Sequence, residues 1–298
     1  MTSQPPTNQD PTQQHDQPDT EGEDQIAHPG VTSDMGDEPD HGEESYQGSG
    51  KLEGKRAIIT GGDSGIGRAV ALAFAREGAD VVIAYLETEE EDAKETVRLV
   101  EDAGRRALAV PGDLQQEDQC QQLIDKTVDE FGGIDILVNN AAYQMAQPGG
   151  IEDITTEQFD RVIKTNLYAM FWLCKKALAH MESGATIINT SSIQSTHPSP
   201  ELLDYATTKA GIVNFSKGLA MMVAERGIRV NTVAPGPIWT PLIPATMSDE
   251  KMESFGEQTP LGRAGQPAEL APAYVFFASP ESGYITGEVL AVTGGMPL

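Results

Sequence analysis

The chain has 298 residues, 39% of them hydrophobic, and a formal net charge of −26 at pH 7. Residues 1–50 contain twelve acidic and no basic residues, which leaves a charge of −14 for residues 51–298. Such an anionic surface repels phosphate backbones, so the charge argues against a nucleic-acid partner. The longest uninterrupted apolar run, residues 69–75, is far shorter than the roughly 20 residues that a membrane helix needs. We therefore expect neither nucleic acid nor a membrane as a partner.

The first 50 residues are rich in Gln, Pro, Thr and Gly as well as in acidic side chains. Such a segment buries too little apolar surface to offset its ordering entropy, so the composition predicts a disordered extension over residues 1–50. The segment also lacks the basic and apolar regions of a secretory signal. The two cysteines, Cys120 and Cys174, form no disulfide framework, which is typical of a reducing compartment. These features predict a cytoplasmic protein with one folded domain, residues 51–298.

From residue 52 onward, short β-branched runs alternate with longer amphipathic segments, a pattern typical of repeated βα units. The pattern predicts strands at residues 56–60, 80–85, 106–110, 134–138, 185–189, 229–233 and 288–292. It predicts helices at residues 65–77, 89–103, 116–131, 156–181, 203–226 and 267–278. We therefore expect an α/β fold, a single doubly wound (Rossmann-type) domain whose seven-stranded parallel sheet is flanked by helices. In such a sheet, ligands bind at the carboxyl ends of the strands.

A glycine-rich turn, residues 61–67, joins the first predicted strand to the first predicted helix. Gly61, Gly65 and Gly67 permit a tight turn and allow the backbone to approach a pyrophosphate closely. The helix that follows points its unpaired N–H groups and its positive dipole end at the phosphates. A strand-to-helix turn often needs glycine for its shape alone, but the place of this turn on the first βα unit favours a dinucleotide site.

The predicted helix at residues 203–226 carries Tyr205 and, four residues later, Lys209. Residues i and i+4 lie on the same helix face, so the ammonium can approach the phenol and lower its pKa from about 10 toward neutrality. A tyrosine tuned in this way can exchange a proton with a carbonyl oxygen or an alcohol. Residues 189–192 end the fifth predicted strand, so the hydroxyl groups among them emerge at the same edge of the sheet.

In order and spacing, the motifs of this chain resemble those of the short-chain dehydrogenase/reductase family over residues 52–298. The motifs that carry the resemblance are residues 60–67, Asp113 with Leu114, residues 139–142, Asn166, Ser192, Tyr205 with Lys209, and Pro235 with Gly236. The resemblance implies an NAD(P)-dependent oxidoreductase that interconverts a small aldehyde or ketone and its alcohol by hydride transfer.

The resemblance also implies a role for each matching residue. Tyr205 is the acid/base, and Lys209 additionally binds the nicotinamide ribose. Ser192 holds the carbonyl, and Asn166 supports a water relay to the lysine. The implied cofactor-binding residues are Gly61, Asp63, Ser64, Gly65, Ile66, Gly67, Tyr85, Leu86, Asp113, Leu114, Asn139, Ala141, Tyr205, Lys209, Pro235, Gly236, Ile238 and Thr240. No metal ligand is implied.

Several of these residues also have structural interpretations that involve no ligand. An Asx turn explains Asp113, and loop capping explains Asn139 and Asn140. A strand-end turn explains Ser192, and an internal helix hydrogen bond explains Asn166. The catalytic interpretation rests on the ordered set of motifs, since no single member of the set is specific.

The choice of cofactor depends on the ribose 2′ position, which lies near the end of the second strand. The sequence there continues from Leu86 into several glutamates. A 2′-phosphate is held by Arg or Lys, yet neither Ser64 nor Leu86 is basic, and glutamates repel phosphate. The sequence therefore favours NAD, and NADP is the alternative because Arg68 lies close enough along the chain to reach the phosphate.

The substrate is less clearly indicated than the reaction. Residues 238–247 contain Trp239 and several apolar side chains, which favour an uncharged carbonyl or alcohol. Loops 143–150 and 193–204 are expected to complete the pocket. Alternatives are a 3-oxoacyl-carrier-protein reductase, which the acidic surface disfavours, a glucose-type sugar dehydrogenase, and a non-catalytic nucleotide-binding protein. The resemblance further implies a homotetramer built on the two longest predicted helices.

Overall fold

Parallel strands form one sheet in the computed structural model, which describes residues 10–20 and 25–298. The strands are, in chain order, β1 Arg56–Thr60, β2 Asp80–Tyr85, β3 Ala107–Pro111, β4 Ile136–Asn139, β5 Thr186–Thr190, β6 Arg229–Pro235 and β7 Val289–Val292. Across the sheet the order is β3-β2-β1-β4-β5-β6-β7. Each strand lies within two residues of its predicted bounds.

Helices cover both faces of the sheet, as expected for a doubly wound fold. They are α1 Gly65–Arg76, α2 Glu90–Asp102, α3 Glu117–Phe131, α4 Thr156–Ile163, α5 Ala169–Ala177, α6 Leu203–Val223, α7 Asp249–Met252 and α8 Pro267–Ala278. No helix in the described part of the chain is both long and apolar enough to cross a membrane. The predicted fold, a seven-stranded parallel sheet flanked by helices, is confirmed.

The sheet has its topological switch point between β1 and β4, which pair in parallel with Ile58 opposite Leu137. The chain winds outward from these two strands in opposite directions, so a crevice opens beyond their carboxyl ends. The glycine-rich turn after β1 and the polar residues after β4 therefore meet at one place.

Two apolar layers hold the helices on the sheet. Helices α1 and α8 pack on one face around Phe74 and Tyr274, which are fully buried. Helices α3, α5 and α6 pack on the other face around Leu123 and Ile187. Because the central strands are buried on both faces, they appear in the sequence as continuous apolar runs.

The predicted helix at residues 156–181 is interrupted. Helix α4 ends at Ile163, a π-helical turn spans Lys164–Tyr168, and α5 begins at Ala169. A π turn adds one residue to a helix without ending its hydrogen bonding, and such turns often occur at functional sites. The apolar pattern on both sides stays nearly in phase, so the sequence pattern alone indicates one helix.

Residues 25–50 pack against the folded domain, which differs from the predicted disorder. Arg76 at the end of α1 donates a hydrogen bond to the carbonyl oxygen of Glu43 at 2.6 Å. The next residue, Glu77, accepts a hydrogen bond from the Tyr46 hydroxyl at 2.7 Å. The segment is thus tied to the end of the first helix by charged groups of the domain.

The same segment also contributes to a third apolar cluster. Met35 is 6% exposed and packs with Trp239 and Phe255, while the Trp239 indole N–H donates to the Asp37 carbonyl oxygen at 2.7 Å. Composition alone misses this packing because the domain supplies most of the apolar surface and the hydrogen-bond partners. Gln17 joins residues 10–20 to this region by donating to the Phe255 carbonyl at 2.6 Å. Residues 1–9 and 21–24, also predicted to be disordered, lie outside the described residues.

Candidate active site

A cleft of about 760 Å³ opens at the carboxyl ends of the strands. One end, here called the cofactor end, is lined by residues from the turns after β1, β2 and β3, within 61–66, 84–89 and 112–115. The other end, here called the substrate end, is lined by His28, Pro29, Tyr143, Gln144, Arg161, Glu201, Leu202 and residues within 241–258. The end of β5 and the start of α6 form the wall between them.

Most of the predicted site residues line this cleft. Ser192, Tyr205 and Lys209 do so, as do all predicted cofactor residues except Gly67 and Asn139. Asn139 and Asn166 instead line a small internal cavity behind the cleft. The fold therefore brings together motifs that are distributed over more than 170 residues of the chain.

The glycine-rich turn folds so tightly that a side chain is excluded from it. A Cβ at Gly67 would lie 1.7 Å from the carbonyl oxygen of Gly61, and Gly61 and Gly65 adopt φ values of +60° and +48°. Ser64, which precedes α1, makes no side-chain cap to the first-turn amides. These N–H groups are therefore available to an anion, and the turn fits the pyrophosphate of a dinucleotide.

Two carboxyl groups line the cofactor end near the ribose position. Burial raises the pKa of Asp63 and of Glu89, and repulsion from neighbouring carboxylates raises both further. Arg68, the residue that the sequence left open as a phosphate ligand, is 4% exposed and donates to Asp92 at 2.6 Å. Asp92 also accepts from the Thr32 N–H at 2.8 Å, so the N-terminal segment helps to hold this buried ion pair.

Two polar residues after strands have clear structural partners. Asp113 accepts from the Gln115 N–H at 3.0 Å, which is the expected Asx turn, and it also lines the cofactor end. Asn139 donates to the Asn189 side-chain oxygen at 2.8 Å and so joins β4 to β5 beneath the cleft. Asn139 thus contacts the sheet interior rather than the cleft surface.

Tyr205, Lys209 and Ser192 meet in the wall of the cleft. The Lys209 Nζ lies 5.2 Å from the centre of the Tyr205 ring and donates to the Thr190 carbonyl oxygen at 2.9 Å. Ser192 lines the same wall of the cleft, and its hydroxyl is close enough to the Tyr205 phenol to lower the pKa of that tyrosine. The neighbouring Ser191 hydroxyl donates to the Lys209 carbonyl at 2.8 Å, which leaves Ser192 as the serine available to a substrate.

The pKa values in this cluster differ from the sequence-based expectation. Burial raises the pKa of Tyr205 to about 12, and the nearby Ser192 hydroxyl opposes this rise only in part. Burial also lowers the pKa of Lys209 to about 7. We expected the lysine charge to lower the pKa of the tyrosine, but burial disfavours the charged form of both groups.

Asn166, in the π turn, has both ends of its amide engaged. Its oxygen accepts from the Tyr143 N–H at 2.8 Å, and its nitrogen donates to the Tyr143 carbonyl and to Thr208 Oγ1, each at 3.0 Å. The side chain therefore fixes the loop after β4 against α6, one residue before Lys209. The predicted water relay through Asn166 stays a prediction.

The substrate end differs from its sequence-based description in two respects. Trp239 is fully buried behind the cleft, so its indole packs the loop and does not line the pocket. His28 and Arg161 line the pocket, although the sequence analysis assigned neither of them to it. His28 lies in the segment predicted to be disordered, and Arg161 lies on α4, five residues before Asn166. Nothing in the sequence around either residue indicates that the two meet.

Comparisons with known proteins find similar oxidoreductases. A family model described as enoyl-(acyl carrier protein) reductase matches residues 61–297. The oxidoreductase YghA of Escherichia coli (strain K12) is 53% identical over 268 residues, which cover 90% of this chain and 91% of that protein. The chloroplastic NADPH-dependent aldehyde reductase 1 of Arabidopsis thaliana is 47% identical over 282 residues, which cover 93% of this chain and 98% of that protein.

The solved structures include similar folds as well. A short chain dehydrogenase from Burkholderia cenocepacia J2315 in complex with NADP has a TM-score of 0.76 at 34% identity, covering 82% of this chain and 98% of that chain. The match to the Arabidopsis relative covers 93% of this chain, which is more than residues 51–298 make up by themselves. The match therefore extends into residues 1–50. Part of the N-terminal segment is therefore shared with that relative.

Proposed function

Because the chain belongs to the short-chain dehydrogenase/reductase family of NAD(P)-dependent oxidoreductases, we propose that it reduces a small aldehyde or ketone to its alcohol with Tyr205 as the proton donor. The observation that carries this proposal is the cluster of Ser192, Tyr205 and Lys209 in the wall between the two ends of one cleft. The glycine-rich turn at the cofactor end supports a nicotinamide dinucleotide as the redox partner.

The protonation states of the buried groups support Tyr205 as the proton donor to a carbonyl. With a pKa of about 12, the Tyr205 phenol keeps its proton at neutral pH and can donate it to a carbonyl oxygen. With a pKa of about 7, Lys209 can take up or release a proton close to neutrality. The Ser192 hydroxyl is suited to hold the same oxygen. A nicotinamide dinucleotide, when bound, supplies the hydride.

We further propose that NAD is preferred to NADP. The cofactor end, within residues 61–66, 84–89 and 112–115, is lined by the carboxyl groups of Asp63 and Glu89 and by no Arg or Lys that could hold a 2′-phosphate. Arg68 is held by Asp92 and is therefore engaged elsewhere. The competing cofactor is NADP, which is bound in the Burkholderia structure, and the Arabidopsis relative is NADPH-dependent. KM values for NADH and NADPH at one salt concentration test this preference, and a lower KM for NADPH would contradict it.

The proposed activity is tested by a cofactor-consumption screen. Purified full-length protein is mixed with aldehydes, ketones and sugars, and the absorbance of NADH or NADPH at its characteristic wavelength is followed. We expect small aldehydes or ketones to be reduced at neutral pH. Activity confined to sugar oxidation would favour the glucose-type dehydrogenase, and cofactor binding without any turnover would favour the non-catalytic alternative.

The description of the matching family model names a substrate bound to acyl carrier protein. The alternative that this chain reduces carrier-bound acyl chains therefore needs its own test. An acidic carrier protein docks on a basic patch, whereas residues 51–298 carry a net charge of −14. The proposal therefore ranks free small carbonyl compounds above carrier-bound chains. Turnover that requires the carrier protein and falls with rising salt would reverse this order.

We also propose a homotetramer in the cytoplasm. Large apolar side chains are exposed along α4 to α6, as expected for an interface: Phe159 is 45%, Phe171 42%, Met221 82% and Met222 79% exposed. Cys120 and Cys174 are buried free thiols, which suits a reducing compartment. Sedimentation velocity at micromolar concentration tests the assembly, and a monomer under these conditions would contradict it.

A further inference from the structure

Arg161 is unusual among the arginines of this protein. The chain has ten arginines, and nine of them donate to a carboxylate or to a backbone carbonyl oxygen within the described residues. Arg161 is the exception, because its hydrogen-bond partner in the described part of the chain is the ring of His28. In a protein with 46 acidic residues, such a guanidinium requires an explanation.

The guanidinium of Arg161 is held in place by two aromatic rings. Its Cζ lies 4.0 Å from the centre of the Tyr143 ring, and its Nη2 lies 3.4 Å from His28 Nδ1. The rings of His28 and Tyr143 contact each other edge to face at 4.9 Å. The backbone of Tyr143 is in turn bound by Asn166, so the guanidinium is fixed relative to the catalytic helix α6.

His28 leaves the charge of Arg161 uncompensated. Burial, followed by the positive charge of Arg161, lowers the pKa of His28 to about 4, so the imidazole is neutral at pH 7. A neutral imidazole accepts one hydrogen bond, whereas a guanidinium has five N–H donors. Most of these donors are therefore not used by His28, and Arg161 lines the cleft.

The other cations that line the cleft are already engaged. Lys209 donates to the Thr190 carbonyl, and Lys251 forms an ion pair with Glu201 across the mouth of the substrate end. The unpaired carboxyl groups of the cleft lie at the cofactor end. Among the side chains that the structure describes, the substrate end thus presents Arg161 as an uncompensated positive charge. It lies close to loop 238–247, whose Pro244 carbonyl accepts from the Ile26 N–H at 3.3 Å.

We propose that Arg161, held by His28 and Tyr143, binds an anionic group of the substrate, so that the preferred substrates are small aldehydes or ketones that carry a carboxylate or a phosphate. This inference rests on the proposed function and names its substrate class. A planar guanidinium matches both anions with two parallel hydrogen bonds. The N-terminal segment completes this subsite, since it supplies His28. The sequence-based expectation of an uncharged substrate is replaced by an anionic one.

The test uses matched substrates of equal chain length. Butanal and 4-oxobutanoate each have four carbons, and glyceraldehyde forms a second pair with glyceraldehyde 3-phosphate. We expect kcat/KM of the wild-type enzyme to be about 10- to 100-fold higher for the anionic member, as expected for hydrogen bonds to a charged group. The preference should decrease with rising salt.

Three variants separate the anion subsite from the reaction itself. Arg161→Gln should raise KM for the anionic substrates by about 10- to 100-fold, so that the ratio of kcat/KM for 4-oxobutanoate to kcat/KM for butanal falls toward one. Arg161→Lys should give a KM for the anionic substrates between those of the wild type and Arg161→Gln, because lysine keeps the charge but lacks the planar guanidinium. Arg98→Gln is the control, because it removes the same charge from exposed ion pairs on α2. It is expected to leave kcat/KM unchanged for both members of each substrate pair. An equal loss of kcat/KM in Arg161→Gln for the anionic and the uncharged member of a pair would overturn the inference.

A binding measurement completes the test. Succinate has two carboxylates and no carbonyl to reduce, so it reports anion binding without turnover. In the presence of NADH, succinate should raise the Tm of the wild type and have no effect on Arg161→Gln. Butanal turnover without any preference for 4-oxobutanoate would overturn the inference and leave the proposed function standing. Failure to reduce any carbonyl compound, charged or uncharged, would overturn both.

Discussion

The two ends of the cleft are built in different ways. The cofactor end consists of short turns that follow neighbouring strands, and three carboxylic acids, Asp63, Glu89 and Asp113, line it. The substrate end is assembled from segments far apart in the chain, and Arg161 and His28 line it. The cofactor end is thus formed by local motifs, whereas the substrate end depends on tertiary packing between distant segments.

The largest effect is expected where the two ends meet. Tyr205→Phe removes the proton donor and should lower kcat by about 10²- to 10⁴-fold, the range for general acid/base groups. NADH binding, measured by nucleotide fluorescence, should stay close to that of the wild type. Tyr274→Phe is the matched control, because this tyrosine is also buried but bonds Thr190 Oγ1 and lies outside the cleft lining. Turnover of Tyr205→Phe near the wild-type rate would rule out its assigned role.

The dependence of the substrate end on the N-terminal segment is tested at Met35. Met35→Ala leaves a cavity beside Trp239 and should lower the free energy of unfolding by about 2–5 kcal/mol, measured by urea denaturation. We expect KM for the substrate to rise and KM for the cofactor to stay constant. Ile151→Ala, at a side chain 65% exposed, is the control and should have little effect. An unchanged stability of Met35→Ala would show that the segment does not pack as described.

The cofactor end is tested in isolation at Gly67. Gly67→Ala brings a methyl group to 1.7 Å from the Gly61 carbonyl oxygen, so the turn must open. The strain should weaken NADH binding by roughly 10- to 100-fold, measured by calorimetry, with substrate KM unchanged. The control is Gly218→Ala in α6, where an added Cβ meets no atom within 4 Å. If both variants bound NADH equally well, the turn would not be the phosphate site.

The smallest effect is a pH dependence that arises from Glu89. Burial and then the nearby Asp63 charge raise the pKa of Glu89 above its unfolded-state value of 4.5. Its contribution to stability is therefore fully present below pH 4.5 and is lost as the pH rises through the raised folded-state value. Glu89→Gln should flatten this decline in urea denaturation, because the amide does not ionise. It should lower KM for NADPH a few-fold only above pH 8, since the pKa of Glu89 is raised to about 8 and its carboxyl is ionised only there. Glu91→Gln on the exposed surface should do neither.

Much of this arrangement was already present in the sequence. The glycine-rich turn, the strand ends and the four-residue spacing of Tyr205 and Lys209 act through local geometry, which a parallel sheet brings to one edge. For the same reason the strands and their carboxyl-end residues were predicted within two positions. The π turn at Asn166 escaped prediction because an extra helical residue hardly disturbs the apolar pattern.

Tertiary structure alone decided three other features. Residues 25–50 pack because the domain supplies partners such as Arg76 and Trp239. The composition of residues 1–50 contains no information on these partners. Burial raises the pKa of Tyr205 and lowers that of Lys209. The four-residue spacing of the pair does not reveal how deeply the two side chains are buried. The contact of Arg161 with His28, 133 residues earlier in the chain, forms only in the folded protein. Sequence determines which residues are near one another along a helix or a turn, but charge pairing and desolvation depend on neighbours that only the completed fold supplies.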